Sequence, residues 1–553
     1  MSTTTHSTSV KELTVRGVIL GGLITLLFTA ANVYLGLKVG LTFATSIPAA
    51  VISMALLRFF ADHTVVENNI VQTIASAAGT LSAIIFVLPG LIMIGWWQGF
   101  PYWTTAAVCA VGGILGVMYS IPLRRALVTG SDLPYPEGVA GAEVLKVGDT
   151  SEGRAANRIG LKVISAGGLV SAGYALLADM GLVRSEVQRS VRTGNGGTIV
   201  GASLSMALIG VGHLVGLTVG IAMLVGLLIS YGIILPIRSS GHLGPDLDSS
   251  LASVFSHDVR FIGAGCIAAA AVWTLVKIIG PITRGITEAL ASTRERRSGR
   301  QVALTERDLP ATWVIGIIVA CMVPVTALLW RFAVDAGLHG GITGLVLVSV
   351  VFTLLIGLVV ASVCGYMAGL IGASNSPISG VGILVVLLAA LLIRMVHATT
   401  GPQETQQLVA YTLFTSAIVF GIATISNDNL QDLKTGQLVG ATPWKQQVAL
   451  IIGVVFGSAI IPPVLQLMQT AFGFQGAPGA GPDALAAPQA ALISSLAKGV
   501  LGGAASTGAC WAPGCSSASV SSSSTRCWVP APPGSTCHPW RWEWACTCPS
   551  PCP

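Results

Sequence analysis

Residues 342–370 read ITGLVLVSVVFTLLIGLVVASVCGYMAGL, with no Asp, Glu, Lys or Arg anywhere in the run. A helix rises about 1.5 Å per residue, so about 20 apolar residues cross a hydrocarbon core of about 30 Å. This stretch exceeds that length, and its apolar residues are continuous rather than alternating. It therefore reads as a membrane helix and not as a barrel strand. Working outward, comparable runs occur at 15–37, 40–60, 70–94, 102–123, 159–182, 260–281, 312–332, 380–396, 406–425, 447–472 and 486–503. A Gly-rich stretch at 198–236 is long enough for two crossings, or for one crossing and a re-entrant piece. Counted twice, it brings the total to about fourteen segments.

Composition points the same way. Of the 553 residues, 9% are charged and 53% hydrophobic, whereas a soluble chain is roughly 25% charged. So few charges cannot cover a soluble surface of this size, which excludes a soluble multidomain enzyme. Disordered and collagen-like classes fail on apolar content. The fold class expected is an all-α polytopic membrane protein with interrupted helices. A net charge of +6 reflects Lys and Arg in cytoplasmic loops and not a nucleic-acid surface. The polar segment 1–14 lacks the h-region of a signal peptide, so the first span is expected to be retained.

Lys and Arg set the orientation. Arg124, Arg125, Lys146, Arg154 and Arg158 mark 124–158 as cytoplasmic, and Arg284, Arg294, Arg296, Arg297, Arg300 and Arg307 do the same for 282–310. Parity then puts the N-terminus inside, in the cell (inner) membrane, and returns Lys434 and Lys445 to the inside. The loop 183–197, with Arg184, Arg189 and Arg192, falls outside and is discordant. Residues 1–14 thus form a cytoplasmic segment, 15–281 a first membrane half, 282–310 a connector and 311–503 a second half. In each half the fourth span runs into a polar motif, Ser131 to Lys146 and Asn427 to Gln447. That suggests an internal repeat, a habit of secondary transporters.

Beyond Gly503 the chain changes character. Seven of the 11 cysteines and five of the 12 tryptophans fall in 504–553. The cysteines lack zinc-ligand spacing. Shifting the frame back by one nucleotide converts Trp540 to Cys548 into apolar sequence, because tryptophan has a single codon. A frameshift near residue 504 is the expectation, with the tail outside the fold. The other four cysteines, Cys109, Cys266, Cys321 and Cys364, stand singly in apolar runs as small buried hydrophobes.

Four polar interruptions are candidates for chemistry. The first is Asn32 to Gly40, where Lys38 is either a cation snorkelling to an interface or one facing an anionic substrate, with Asn32 and Tyr34 as neutral partners. The second is Leu133 to Leu145, broken by Pro134, Pro136, Gly138 and Gly141; such backbone is tolerated at membrane depth where protein or water satisfies it. Its Glu137 and Glu143 stand six apart, off a common helical face. They are either solvated loop carboxylates or proton carriers aimed into a cavity. The third is Gly369 to Gly380, where a long span stops at Gly372 and another starts after Pro377. It is either a plain turn or a pair of free helix ends suited to anionic ligands. The fourth is Asn427 to Gly436, directly after an apolar span. Asp428 and Asp432 stand at i, i+4, either in a solvated cap or facing one cavity. His213, alone in an apolar run, reads as a packing residue. No His-Glu-x-x-His helix and no P-loop occurs, which disfavours a zinc protease and an ATP-driven pump.

Together these motifs resemble the oligopeptide transporter (OPT) family, which includes the yellow-stripe-like metal-chelate transporters. The resemblance rests on Asn32 to Lys38, Pro134 to Gly138, Ala142 to Leu145, Gly372 to Gly380, Leu430 to Gly436, Gly440 to Gln447 and Ala487 to Ala490. It covers about 10–503 in matching order. Ala373 and Ser376 depart from the residues that family members often carry there. The resemblance implies proton-coupled import, by alternating access, of small oligopeptides or peptide-like metal chelates. The substrate-binding candidates are Asn32, Tyr34, Lys38, Tyr135, Ser374, Asn375, Ser379, Asn427 and Gln431. The proton-coupling candidates are Glu137, Glu143, Asp428 and Asp432. No enzymatic activity, cofactor, resident metal or nucleic-acid partner is expected; the partners are substrate, protons and the lipid bilayer. The competing class is a passive channel or a non-transporting membrane scaffold, and the sequence carries nothing about oligomeric state.

Overall fold

The computed structural model describes residues 11–148 except 41 and 61, 186–203, 220–263, and 304–502 except 339, 340, 375, 377, 398–400, 482 and 483, with scattered positions between 159 and 280. The tail from 503, His213, Asn375 and most of the 282–310 connector lie outside the described residues.

The first half opens with α1 (Val15–Val39), capped by Thr14 Oγ1 accepting from Gly17 N at 3.0 Å and ended by Gly40 at φ 79°. Residues 42–45 then run without helix into α2 (Ser46–Leu57). At 12 residues, α2 spans only about 18 Å. It is therefore the helical part of an interrupted segment, not a full helical span. Next, α3 (Val65–Leu81) continues through a 3-10 turn, Ser82–Phe86, into α4 (Pro89–Met93). Then α5 (Tyr102–Arg124) ends beyond Pro122 in a π turn, Arg125–Thr129. Proline removes a ladder bond and the wider turn takes up the slack. After it, residues 132–135 run without helix into α6 (Pro136–Gly148), which continues unbroken through Gly138 and Gly141, where the sequence suggested an interruption.

A correction falls at 186–203. The residues expected as a loop plus the start of a crossing form an antiparallel hairpin, β1 (Glu186–Thr193) with β2 (Gly196–Ser203), turning at Gly194 with φ 62°. Its Ile199 packs with Tyr231, Leu235, Leu251 and Phe255, contributed by α7 (Gly220–Ser239), α8 (Leu247–Val254) and the turn that follows. The Gly194-Asn195 turn carried that signal.

The second half is α9 (Ala311–Asp335), α10 (Ile342–Ile371), α11 (Ile378–Val396), α12 (Pro402–Val439), α13 (Pro443–Ala471) and α14 (Pro488–Leu501). Among the described residues, nine helices are long and apolar enough to cross a membrane. The expected end of a span at 425 is also corrected: α12 runs unbroken to Val439, 38 residues in all, or about 57 Å. From Leu408 to Gly436 it is buried at every position but Lys434. It is enclosed by α3, α5, α6, α10, α11 and α14. Glycine sets one of these crossings: a Cβ at Gly112 of α5 would lie 2.7 Å from the Ile418 carbonyl.

One end of the bundle is tied by charge. Asp62 pairs with Lys11 at 2.6 Å and with Arg16 at 2.5 Å, and Arg16 also holds the buried Glu67 at 2.7 Å. Glu12 accepts from Thr442 N, Thr442 Oγ1 and Lys445 Nζ at the start of α13. Asp308 accepts from Arg124, Arg125 and Gln447, and Trp444 N donates to the Arg307 carbonyl. The N-terminal segment and the arginines of both expected cytoplasmic loops thus meet at the same end of α13.

Candidate functional site

The lower half of α12 carries Asn427, Asp428, Asn429, Gln431 and Asp432, all 0–1% exposed. Membrane-depth polar groups need partners, and those of the two aspartate side chains come from α3. Ser76 Oγ and Thr80 Oγ1 donate to Asp428 Oδ2 at 2.5 and 2.7 Å. Gln72 Nε2 donates to Asp432 Oδ1, and Asn69 Nδ2 donates to Gln72 Oε1 at 3.0 Å. Gln72, Ser76 and Thr80 recur every four residues, which puts them on one face of α3 against α12. Gln446 of α13 closes the end, donating to the Asp432 carbonyl at 2.6 Å and to Thr73 Oγ1 at 3.1 Å.

Two carboxylate oxygens in this seam have no hydrogen-bond partner, Asp428 Oδ1 and Asp432 Oδ2, and neither do the amide oxygens of Asn69 and Asn429. The donors to the two aspartate side chains are neutral, and among the described residues no Lys, Arg or His forms an ion pair with either. An isolated buried carboxylate costs several kcal/mol unless something neutralises it.

On the other side of α12 three interruptions of regular backbone meet. Between α10 and α11 the chain turns at Gly372, φ 93°. Ala373 N and Ser374 N donate to Glu137 Oε2 and Oε1 at 3.1 and 3.0 Å, so α6 supplies the carboxylate that the turn holds. Ser374 Oγ accepts from Ala44 N at 3.0 Å, which satisfies the non-helical segment before α2. Asn427 Nδ2 donates to the Ala373 carbonyl at 3.0 Å, and Ser376 Oγ donates to Asn427 Oδ1. Gln431 joins the first two breaks to α12: its Nε2 donates to the Ala368 carbonyl at 2.5 Å and its Oε1 accepts from Gly138 N at 2.7 Å. Broken segments, buried amides and three carboxylates thus converge on a few turns of one central helix.

The sequence model described as OPT oligopeptide transporter protein matches residues 12–529. A putative oligopeptide transporter of Haemophilus influenzae is 45% identical over 483 residues, covering 84% of this chain and 75% of that protein. The chain belongs to the oligopeptide transporter family. More distant relatives include a putative oligopeptide transporter of Saccharomyces cerevisiae, 23% identical over 581 residues (80% of this chain, 76% of that protein). A probable metal-nicotianamine transporter of Oryza sativa is 21% identical over 539 residues (85% and 71%).

Within this family member the expected site residues divide. Glu137, Ser374, Asn427, Gln431, Asp428 and Asp432 are brought together as described. Ser379 stands half-buried in the first turn of α11, beside the same break. Asn32 is buried at 0% exposure and occupied by backbone: it donates to the Phe43 and Gly79 carbonyls and accepts from Phe43 N. Its position is that of a staple on the 42–45 segment. Tyr135 is likewise fully buried, at φ 42°, with its hydroxyl on the Leu127 carbonyl at 3.0 Å and its N–H on the Gly369 carbonyl. Tyr34 and Lys38 are bonded to each other at 3.2 Å near the far end of α1, with the Tyr34 ring against Phe472. Glu143 is exposed, because α6 is one continuous helix and six residues turn it away from Glu137. The structure does not bring it to the seam.

The polar face of α3 was missed. Its signal lay in the open, in Asn69, Gln72, Ser76 and Thr80 at spacings of three and four, inside a run read only as apolar.

Proposed function

We propose that this chain is a secondary active importer of small oligopeptides or peptide-like metal chelates, driven by protons and working by alternating access. The observation that carries the reading is the pair of buried aspartates on α12, each with one oxygen bonded to neutral donors and the other bonded to nothing. In the packed state a proton on each free oxygen offsets the cost of burial. When the α3–α12 seam parts to water, that proton leaves. A binding change that parts or closes the seam is thereby linked to proton release or uptake.

The printed names of the relatives, oligopeptide and metal-nicotianamine transporters, support the substrate class. The charge-tied end, where Arg16, Arg124, Arg125 and the start of α13 meet, supports a cytoplasmic N-terminus by the positive-inside rule. Purified protein in liposomes tests the reading. Labelled tripeptide or ferric chelate should accumulate above equilibrium only with an inward proton gradient. Uptake that stops at equilibrium and ignores the gradient would make the protein a passive channel instead.

A further inference from the structure

We infer that the backbone turn at Gly372–Ser374 is a receptor for the substrate's carboxylate, and that Glu137 occupies it in this structure as an internal stand-in. The inference rests on the transporter reading above and adds to it the group on the substrate that is recognised.

The geometry is that of a two-point carboxylate clamp. Two successive backbone N–H groups reach the two different oxygens of one carboxylate, at 3.1 and 3.0 Å. Successive N–H groups in such a concavity bind anions, and the same arrangement captures peptide C-termini elsewhere. The clamp depends on Gly372. Its φ of 93° is open to glycine, and a Cβ there would stand 3.0 Å from Glu137 Oε1. Of the other atoms of the turn, Ser374 Oγ accepts from Ala44 N while its hydroxyl joins in holding Glu137, and the Ala373 carbonyl serves Asn427. What the turn offers a ligand is the N–H pair with the Ser374 hydroxyl beside it, and the group held there arrives from a different element.

Like charge opposes Glu137 as a permanent occupant. From α12, Asp428 acts on it electrostatically with the same sign, and Asp428 Oδ1 itself lacks a partner. Asp432 stands one turn further on. The cation of that helix, Lys434, bonds to the Val128 carbonyl and Gln437 and lies 5.9 Å from the Tyr135 ring. Neither α2 nor α10 contains a charged residue, and the one charge of α3, Glu67, is paired with Arg16. On α6 itself Glu143 and Lys146 are exposed.

Exchange follows from charge balance. A proton from water bonds to one Glu137 oxygen, the neutral acid gives up the two N–H groups, and an incoming carboxylate accepts them. The turn holds one negative charge before and after. One proton enters with one carboxylate, so at this turn recognition and proton uptake are one event, beside the protons carried by the α12 aspartates. The ligand class is a small molecule bearing a free carboxylate, either a peptide C-terminus or the carboxylate arms of a metal chelate.

The test compares a tripeptide with its C-terminal amide, and a carboxylate-bearing ferric chelate as the second arm, in binding to full-length protein at acidic and neutral pH. The free acid should bind at least about tenfold more tightly than the amide at acidic pH, one charge-assisted bond being worth that much. The preference should shrink as pH rises. Glu137→Gln should remove the pH dependence of acid binding. Whichever carboxylate compound competes identifies the source. Equal affinity for acid and amide at both pH values overturns the inference while leaving transport intact, and needs no variant. An unchanged pH dependence in Glu137→Gln overturns it too. If no acid, amide or chelate binds or accumulates, the transport reading falls and this inference falls with it.

Discussion

Replacing Asp432 with asparagine removes one titrating oxygen and almost nothing else. The Gln72 bond to Oδ1 survives, since a carboxamide oxygen accepts as well as a carboxylate oxygen, and the Nδ2 group takes the place of the partnerless Oδ2. The cost to folding is bounded by one poorly satisfied buried donor, about 1–3 kcal/mol. The effect on coupling is larger and has a fixed size. One pH unit across the membrane is worth about 1.4 kcal/mol per proton carried, a tenfold concentration ratio. A cycle that moves one proton fewer therefore has its accumulation ceiling lowered by about tenfold for each pH unit of gradient. Asp428→Asn should do the same, because Ser76 and Thr80 can still donate to its oxygen. The assay is steady-state accumulation in proteoliposomes with the membrane potential clamped, beside substrate exchange without a gradient. Exchange should persist in both variants. If both accumulate substrate to the wild-type ratio at every gradient, the aspartates carry no coupling protons and the argument from their unpaired oxygens is wrong.

Three further outcomes are expected. Ser76→Ala with Thr80→Ala strips both donors from Asp428 Oδ2; it should lower thermal stability in detergent by about 2–4 kcal/mol, and an unchanged melting midpoint would show that the seam holds water instead. Gly112→Val should destabilise by about 1–3 kcal/mol or more through overpacking, since even a Cβ meets the Ile418 carbonyl at 2.7 Å; a folded, equally stable variant would mean that α5 and α12 are further apart than described. Lys11 and Arg16 hold Asp62 below its usual value of 3.8, so its support of the N-terminal segment is fully present above about pH 4 and is lost as pH falls through the lowered value. Protease protection of 11–16 should hold from neutral to mildly acidic pH, drop in Asp62→Asn, and weaken with salt.

Much of the architecture was legible because bilayer physics reads so directly in sequence. The break at Gly372 and the restart at 378 were marked by glycine, small hydroxyl residues and proline, and the structure has them there. The two aspartates at i, i+4 were legible as a pair. What was not legible was that α12 continues through them. Asn427 to Gln431 look like the end of a span because polar residues usually lie at the interface. Only a partner helix with its own polar face makes burial tolerable, and that pairing of α3 with α12 spans some 350 residues of sequence. Pattern within one element cannot report it. The roles of Asn32 and Tyr135 were hidden for a related reason: each serves the backbone of a neighbouring broken segment, and the need for such service appears only in three dimensions. The hairpin at 186–203 was in principle readable, but the apolar run after it dominated the window.

The burial of α12 on all sides bears on how the protein is made. Two aspartates, two asparagines and a glutamine make the end of this helix a poor guest for lipid, each aspartate costing about 2.5–3.5 kcal/mol toward the helix centre. Its apolar first half, Leu408 to Ile425, can enter the bilayer unaided; the second half needs company. That company, α3, α5 and α10, precedes it in the chain, so the ribosome delivers the hydroxyls and amides of the early helices before the carboxylates that need them. The order of synthesis thus places the partners of the central helix in the chain ahead of the carboxylates they satisfy.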